Sequence, residues 1–158
     1  MAWYTGDTTY DTILLIAFGY ALLVAIGAPL GKASYGVFAS TKMKLNLQPQ
    51  LGWFLMEVPA TLSFYFFYFQ GENCWQPVPL FFLFVWTVHY ANRGFIFPLL
   101  MRVPKGSKSD FHLSVVVLGW GVTALHGYLN ATFISQLSDQ YTTAWLTDPR
   151  FLVGIVIY

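Results

Sequence analysis

Of 158 residues, 56% are hydrophobic, 20% aromatic and only 9% charged. A soluble domain carries roughly 25% charged residues, so this chain cannot cover a water-facing surface and reads as an integral membrane protein. The net charge of +1 leaves no basic face for nucleic acid, and the single cysteine, Cys74, excludes a disulfide framework or a thiolate metal cluster. The length allows one domain, residues 1–158, with no soluble module beside it.

The first ten residues hold Asp7 but no Lys or Arg. The apolar run that follows is as long as a membrane span, so it reads as a retained helix rather than a cleaved targeting segment. A bilayer core of ~30 Å needs ~20 mostly apolar residues per helix. Four stretches meet that length, at about 12–30, 51–69, 80–100 and 111–133, and the start of a fifth begins at Phe151. The predicted fold class is therefore all-α and membrane-embedded, with four full spans and part of a fifth. Gly27 and Pro29, then Gly71, Pro77 and Pro79, then Pro104 and Gly106 punctuate the connections. The sequon at Asn130, Ala131 and Thr132 falls inside the fourth span, where glycosylation is not expected.

Six of the eight basic residues lie in the first and third connections: Lys32, Lys42, Lys44, Arg102, Lys105 and Lys108. The positive-inside bias places those connections in the cytosol or a mitochondrial matrix and the N-terminus on the opposite side.

Ionisable groups inside a span cost at least a few kcal/mol each and face a partner or a cavity. The second span carries Glu57; the third carries His89, Tyr90, Asn92 and Arg93. At ~1.5 Å per residue, Glu57 lies roughly 9 Å and Arg93 roughly 10 Å from the same membrane face, with Tyr90 one turn deeper. At ~100° per residue the third-span group shares one face of the helix. A polar cavity opening toward the basic connections is the economical picture, and a Glu57–Arg93 ion pair that only fixes helix packing is its rival. An acid held neutral by burial beside a phenol would suit polarisation of a carbonyl. His126, Tyr128 and Asn130 near the far end of the fourth span are read chiefly as interfacial, His112 as solvated at the membrane edge, and Trp53, Trp75, Trp86, Trp120 and Trp145 mainly as interface markers. The histidine spacings give no metal motif, and no glycine-rich phosphate loop is present.

At these residues the chain resembles the steroid 5-alpha-reductase family, specifically its N-terminal portion. The resemblance rests on Trp53-Phe54-Leu55-Met56-Glu57-Val58-Pro59-Ala60, on His89-Tyr90-Ala91-Asn92-Arg93, on Pro98-Leu99-Leu100-Met101-Arg102, and on Trp145-Leu146-Thr147-Asp148-Pro149-Arg150-Phe151. Shorter echoes lie at Ala33-Ser34-Tyr35-Gly36 and Gly127-Tyr128-Leu129-Asn130.

That resemblance implies a seven-helix enzyme of the endoplasmic reticulum. Such an enzyme uses NADPH to reduce the 4,5 double bond of a 3-oxo-4-ene steroid, or a related enone or polyprenol lipid. It assigns Glu57 and Tyr90 to the substrate ketone, with Trp53, His89 and Arg93 lining or tuning the pocket. Arg102, Asp148 and Arg150 match signatures that would touch the cofactor. It also implies that activity needs a C-terminal half absent from these residues, since an Asn-x-His-Ser-Asp type segment is missing and Met101 stands where a polar residue is expected. The alternative is a non-catalytic accessory subunit of a large membrane assembly, for example in the mitochondrial inner membrane, that keeps the reductase scaffold among other membrane subunits.

Overall fold

A computed structural model of the chain describes residues 4–27, 29, 35–36, 45–103, 110–139 and 141–157. Leu30, Lys32, Ala33, Ser34, Lys42, Lys44, Pro104, Lys105, Gly106 and Lys108 lie outside the described residues, so the charges that set the expected orientation are largely among them.

Helix α1 (Thr8–Gly27) starts where Asp7 accepts the Tyr10 backbone N–H at 2.7 Å, satisfying a donor that the first helical turn leaves open. Asp11, buried within that first turn, accepts the Tyr4 and Thr5 backbone N–H groups and the Thr5 hydroxyl, which folds the preceding residues back over the helix start. Two short strands follow, β1 (Tyr35–Gly36) and β2 (Asn46–Leu47), then helix α2 (Pro49–Tyr68), entered with proline in its first turn. Helix α3 (Pro77–Tyr90) opens the same way. It continues through a π-helical stretch, Ala91–Ile96, into the short helix α4 (Phe97–Leu100). Strand β3 (Asp110–His112) leads into α5 (Leu113–Thr132), which extends through a second π-helical stretch, Phe133–Leu137. A 3₁₀ turn at Thr143–Thr147 and helix α6 (Pro149–Ile157) complete the order.

Three helices among the described residues are long and apolar enough to cross a membrane: Thr8–Gly27, Pro77–Leu100 and Leu113–Leu137. They match the first, third and fourth expected spans, and the chain is an all-helical integral membrane protein in its main architecture. The second expected span, about 51–69, is a helix of the right extent, but it is not among those three. Gln50, Glu57, Thr61 and Ser63 dilute its apolar character, and it is the helix the others cover: Gly52, Glu57, Ala60, Phe64 and Tyr68 on it are buried. The helix expected from residue 151 begins at Pro149, two residues early.

The purely helical expectation also missed a small sheet. β3 pairs antiparallel with both β1 and β2, with Tyr35 opposite Phe111 and Leu47 opposite Phe111 on the other side. The sheet ties the first and third connections together at one end of the bundle, in keeping with their shared basic character. It also removes His112 from solvent. His112 is buried, and its Nδ1 accepts the Ser114 backbone N–H at 3.1 Å and pairs with the Ser114 hydroxyl at 2.6 Å, capping α5. The solvated reading of His112 is thereby corrected.

Helices α2 and α5 form the central pair, and their approach depends on small residues. A Cβ at Gly127 would sit 2.6 Å from the Ala60 carbonyl oxygen and 2.9 Å from the Phe64 backbone nitrogen. The Ser63 hydroxyl donates to the Ala124 carbonyl, the Thr123 hydroxyl to Met56 and the Trp120 indole to Leu55, all across this seam. Close backbone contact and interhelical hydrogen bonds hold membrane helices together where the hydrophobic effect cannot discriminate protein from lipid. Helix α1 touches α5 lightly: the Tyr10 hydroxyl donates to the Leu129 carbonyl at 3.0 Å. Most of its large apolar side chains, including Leu15, Ile16, Phe18, Leu22 and Leu23, face outward as lipid-facing residues should.

Replacing Gly127 with alanine should therefore destabilise the detergent-solubilised chain by more than about 2 kcal/mol, the scale of an overpacked core. Gly121, on the same helix, faces open space, with nothing within 4 Å of where a Cβ would stand. It should accept alanine with little change; chemical unfolding of the two variants side by side checks the contrast.

Candidate functional site

The site is built between α2 and the α3–α4 helix. Glu57 is 1% exposed, and its Oε1 receives Arg93 Nε at 2.9 Å and Arg93 Nη2 at 2.8 Å. Two charge-assisted bonds to one oxygen fix the carboxylate's orientation. Its other oxygen, Oε2, is buried with no hydrogen-bond partner among the described residues. An unmet buried acceptor costs on the order of 1–3 kcal/mol and calls for an explanation. A Cβ at Gly94 would make ordinary contact with the Glu57 Cβ, at 3.4 Å. The depth estimate that set Glu57 level with Arg93 is matched by the observed pair.

The π-helical stretch is what delivers Arg93. A π turn closes on the fifth residue rather than the fourth, so it accommodates one more residue per turn than the α-helix does. This alters the uniform ~100° step assumed from the sequence: Arg93 turns onto α2, while Asn92 is exposed. Trp53, one turn before Glu57, donates its indole N–H to the Arg93 carbonyl at 3.2 Å and places its ring 5.4 Å from the guanidinium carbon. His89 stacks edge-on against Tyr90 at 5.1 Å.

Tyr90 itself is buried, and its hydroxyl lies 3.2 Å from Nδ1 of His126 on α5. Trp86 braces this pair, with its ring 4.6 Å from Tyr90, 5.1 Å from His126 and 4.1 Å from Phe64 in a stacked arrangement. Trp53, Trp86 and Trp120 each brace a contact between helices. His126 and Trp86, read from the sequence chiefly as interfacial, are brought to Tyr90 here. The available signal was spacing: Trp86 lies one turn before Tyr90 on the same helix.

His126 also lines an apolar cavity of about 710 Å³ between α1 and α5, together with Ile16, Tyr20, Val24, Val122 and Leu125. A second cavity of about 480 Å³ lies nearer the start of α1, between Tyr10, Phe18 and Phe133. The helix that barely touches α5 leaves this space open along their seam, and small-molecule sites occupy roughly 300–1,000 Å³.

Arg102, Asp148 and Arg150, the residues matched to a dinucleotide, are not brought together. Arg102 is exposed just beyond α4. Asp148 and Arg150 sit at the start of α6, which packs Phe151 against Phe81 and Phe82 near the opposite end of the same long helix. The two ends are about 30 Å apart at ~1.5 Å per residue. Asp148 is also occupied: Oδ1 accepts the Arg150 backbone N–H and Nε, Oδ2 accepts Nη2 at 2.8 Å, and the guanidinium lies over Trp145 at 4.6 Å. Three residues so placed do not fit one NADPH molecule.

No protein-family model matches the chain. Among curated proteins it is 29% identical to the steroid 5-alpha-reductase DET2 of Gossypium hirsutum over 154 residues, 98% of this chain and 60% of that protein. It is 32% identical to 3-oxo-5-alpha-steroid 4-dehydrogenase 1 of Bos taurus over 146 residues, covering 88% of this chain and 52% of the relative. The Homo sapiens protein of the same name matches at 29% over 98% of this chain and 60% of its own length. The chain thus spans little more than half the length of these relatives. A share of 52–60% exceeds a half and does not set the matched segment at the N-terminal end, so the N-terminal-half assignment does not stand.

Replacing Arg93 with leucine should destabilise the chain by about 2–3 kcal/mol, below the ~3–5 kcal/mol of a fully buried pair because Arg93 is 46% exposed. Adding Glu57→Gln should recover much of that loss, as a double-mutant unfolding cycle would register. At α6, the hydrogen bonds from Arg150 hold the Asp148 carboxyl down at about 2. A depressed folded-state value means the pair's contribution is full above the ordinary carboxylate range of ~3.9 and fades as pH falls through about 2. Carboxyl NMR titration should place Asp148 there, and Arg150→Ala should return it toward the ordinary value.

Across nearly its whole length, the chain is a homologue of the steroid 5-alpha-reductases.

Proposed function

We propose that this chain provides the carbonyl-binding site of a steroid 5-alpha-reductase-like membrane oxidoreductase acting on an apolar enone, with a 3-oxo-4-ene steroid as first choice and an isoprenoid as second. The observation that carries it is the conjunction of a buried, half-satisfied Glu57 held by Arg93 with a tyrosine–histidine pair at the edge of an apolar cavity. Helix packing alone accounts for the ion pair. It does not account for an open carboxylate oxygen whose cation lies one helical turn from a buried phenol.

Reduction of an enone at its β carbon places negative charge on the carbonyl oxygen. A hydroxyl aimed at that oxygen in a water-poor site stabilises the charge more than the same donor would in water. Tyr90 supplies such a hydroxyl, and His126 orients it. Glu57 Oε2 is the second polar atom; carrying a proton, it would donate to a ligand oxygen, while Arg93 at Oε1 keeps the carboxyl from rotating. The 710 Å³ cavity between α1 and α5, whose walls are apolar apart from His126 and Tyr20, would take a rigid hydrocarbon skeleton as far as His126, the partner of the Tyr90 hydroxyl.

The names of the relatives support a reduction, and NADPH is the reductant that the family resemblance implies. Residence in the endoplasmic reticulum membrane belongs to the same proposal on the family resemblance, and the two basic connections support an N-terminus on the opposite side of the membrane from them.

Binding of a tritiated 3-oxo-4-ene steroid to the purified protein in lipid nanodiscs is the test. Glu57→Gln and Tyr90→Phe should each weaken binding about 10-fold or more, as loss of a hydrogen bond to a buried ligand oxygen does. His126→Phe should weaken it less. Equal binding by all three variants would defeat the assignment.

A further inference from the structure

The bond from Trp53 to Arg93 meets a carbonyl that its own helix cannot satisfy. In an α-helix each carbonyl receives the N–H four residues on, and in a π turn the one five residues on. The Phe97 N–H is committed to the Asn92 carbonyl, five residues back. The next carbonyl in that register is Arg93, whose partner would be residue 98, and Pro98 has no N–H to give. The orphaned carbonyl is the one that the Trp53 indole bonds at 3.2 Å.

Helix α2 therefore grips the π stretch at two points one turn apart. Trp53 holds the backbone of Arg93, and Glu57 holds its side chain. The Trp53 ring is fixed for this task by edge contacts to Phe97 and Phe111, at 5.3 and 6.3 Å. The sheet residue Phe111 thus joins the basic-connection end of the bundle to the site.

We propose that the Trp53 indole N–H acts as a clasp that sets the π register of Ala91–Ile96, and that Trp53 is a positioning residue for the site rather than a packing aromatic. Without the clasp the helix has a nearby alternative. The Phe97 N–H shifts from Asn92 to Arg93, the α register returns, and the orphan carbonyl moves to Gly94. That slip by one residue turns the segment before it by roughly 100° relative to α4. It swings Arg93 off Glu57 and Tyr90 away from His126. Pro98 makes the clasp necessary, and the clasp makes the π stretch persist. The register claim stands on the hydrogen bonds alone; its consequence for ligand binding rests on the function proposed above.

The test uses the full chain with Trp53 replaced by 3-benzothienylalanine, which keeps the ring shape and exchanges the N–H for sulfur. The chain holds three arginines, Arg93, Arg102 and Arg150, so ¹⁵N-arginine labelling gives a simple Nε–H spectrum. The Arg93 Nε–H should lose about 5- to 10-fold in exchange protection, the scale of one hydrogen bond, and shift toward the position of a free guanidinium. An unchanged Arg93 resonance in the benzothienyl protein would overturn the proposal. Should the register respond as expected while no 3-oxo-4-ene steroid binds even the unmodified protein, the clasp stands and the carbonyl-site reading falls.

Discussion

Glu57 holds the helix running from Pro77 to Leu100 against α2 by its ion pair with Arg93, and the architecture around it follows from the need to satisfy that carboxylate away from water. An acid at this depth requires a cation at the same level, and Arg93 supplies one. An α-helix carrying Tyr90 against α5 does not also turn Arg93 onto α2 unless its winding changes. The π stretch between them makes that change, so one helix serves two neighbours. The close α2–α5 seam, made possible by Gly127, then brings His126 to the Tyr90 hydroxyl.

The same geometry divides the molecule into a tight half and a loose one. Helices α2, α3 and α5 share stacked aromatics and interhelical hydrogen bonds, with Phe64, Tyr68, Cys74, Ala131 and Ile134 at the buried centre. The Cys74 carbonyl accepts the Tyr68 hydroxyl at 2.8 Å, so the cysteine is part of this packing. Helix α1 stands apart, anchored near its start by Tyr10 and by the stacking of Tyr4 and Tyr10 on Phe133. A bundle with one loosely held helix can admit an apolar molecule from the bilayer without unfolding, and the cavities lie along that helix.

The parts of this arrangement that were legible in the sequence share a cause. Span positions follow from apolar run length, which the bilayer thickness dictates. The Glu57–Arg93 pairing followed from counting depth along antiparallel helices, because an unpaired ion in a span is so costly that few partners are available. What the sequence concealed depends on departures from uniform periodicity or on long-range contacts. The π stretch was hidden because a fixed angle per residue was assumed, although Pro98, five residues beyond Arg93, marks the missing donor. The sheet was hidden because its strands are two or three residues long and pair across more than sixty positions. His126 was read by its nearness to a span end, yet its neighbours Tyr90 and Trp86 come from another helix. The composition of α2 also understated its place: it is the least apolar of the long helices because it is the one the others enclose.

In the proposed function, the oxygen of an apolar carbonyl compound meets the Tyr90 hydroxyl and Glu57 Oε2. The enone of a 3-oxo-4-ene steroid is itself photoreactive, so irradiation of the nanodisc-embedded protein with the tritiated steroid, followed by peptide mass spectrometry, locates the bound ketone end directly. Label is expected on the peptides carrying Glu57 or Tyr90, competed away by excess unlabelled steroid. Competable label confined to α6 or to the lipid-facing side of α1, with those two peptides clean, would contradict that placement.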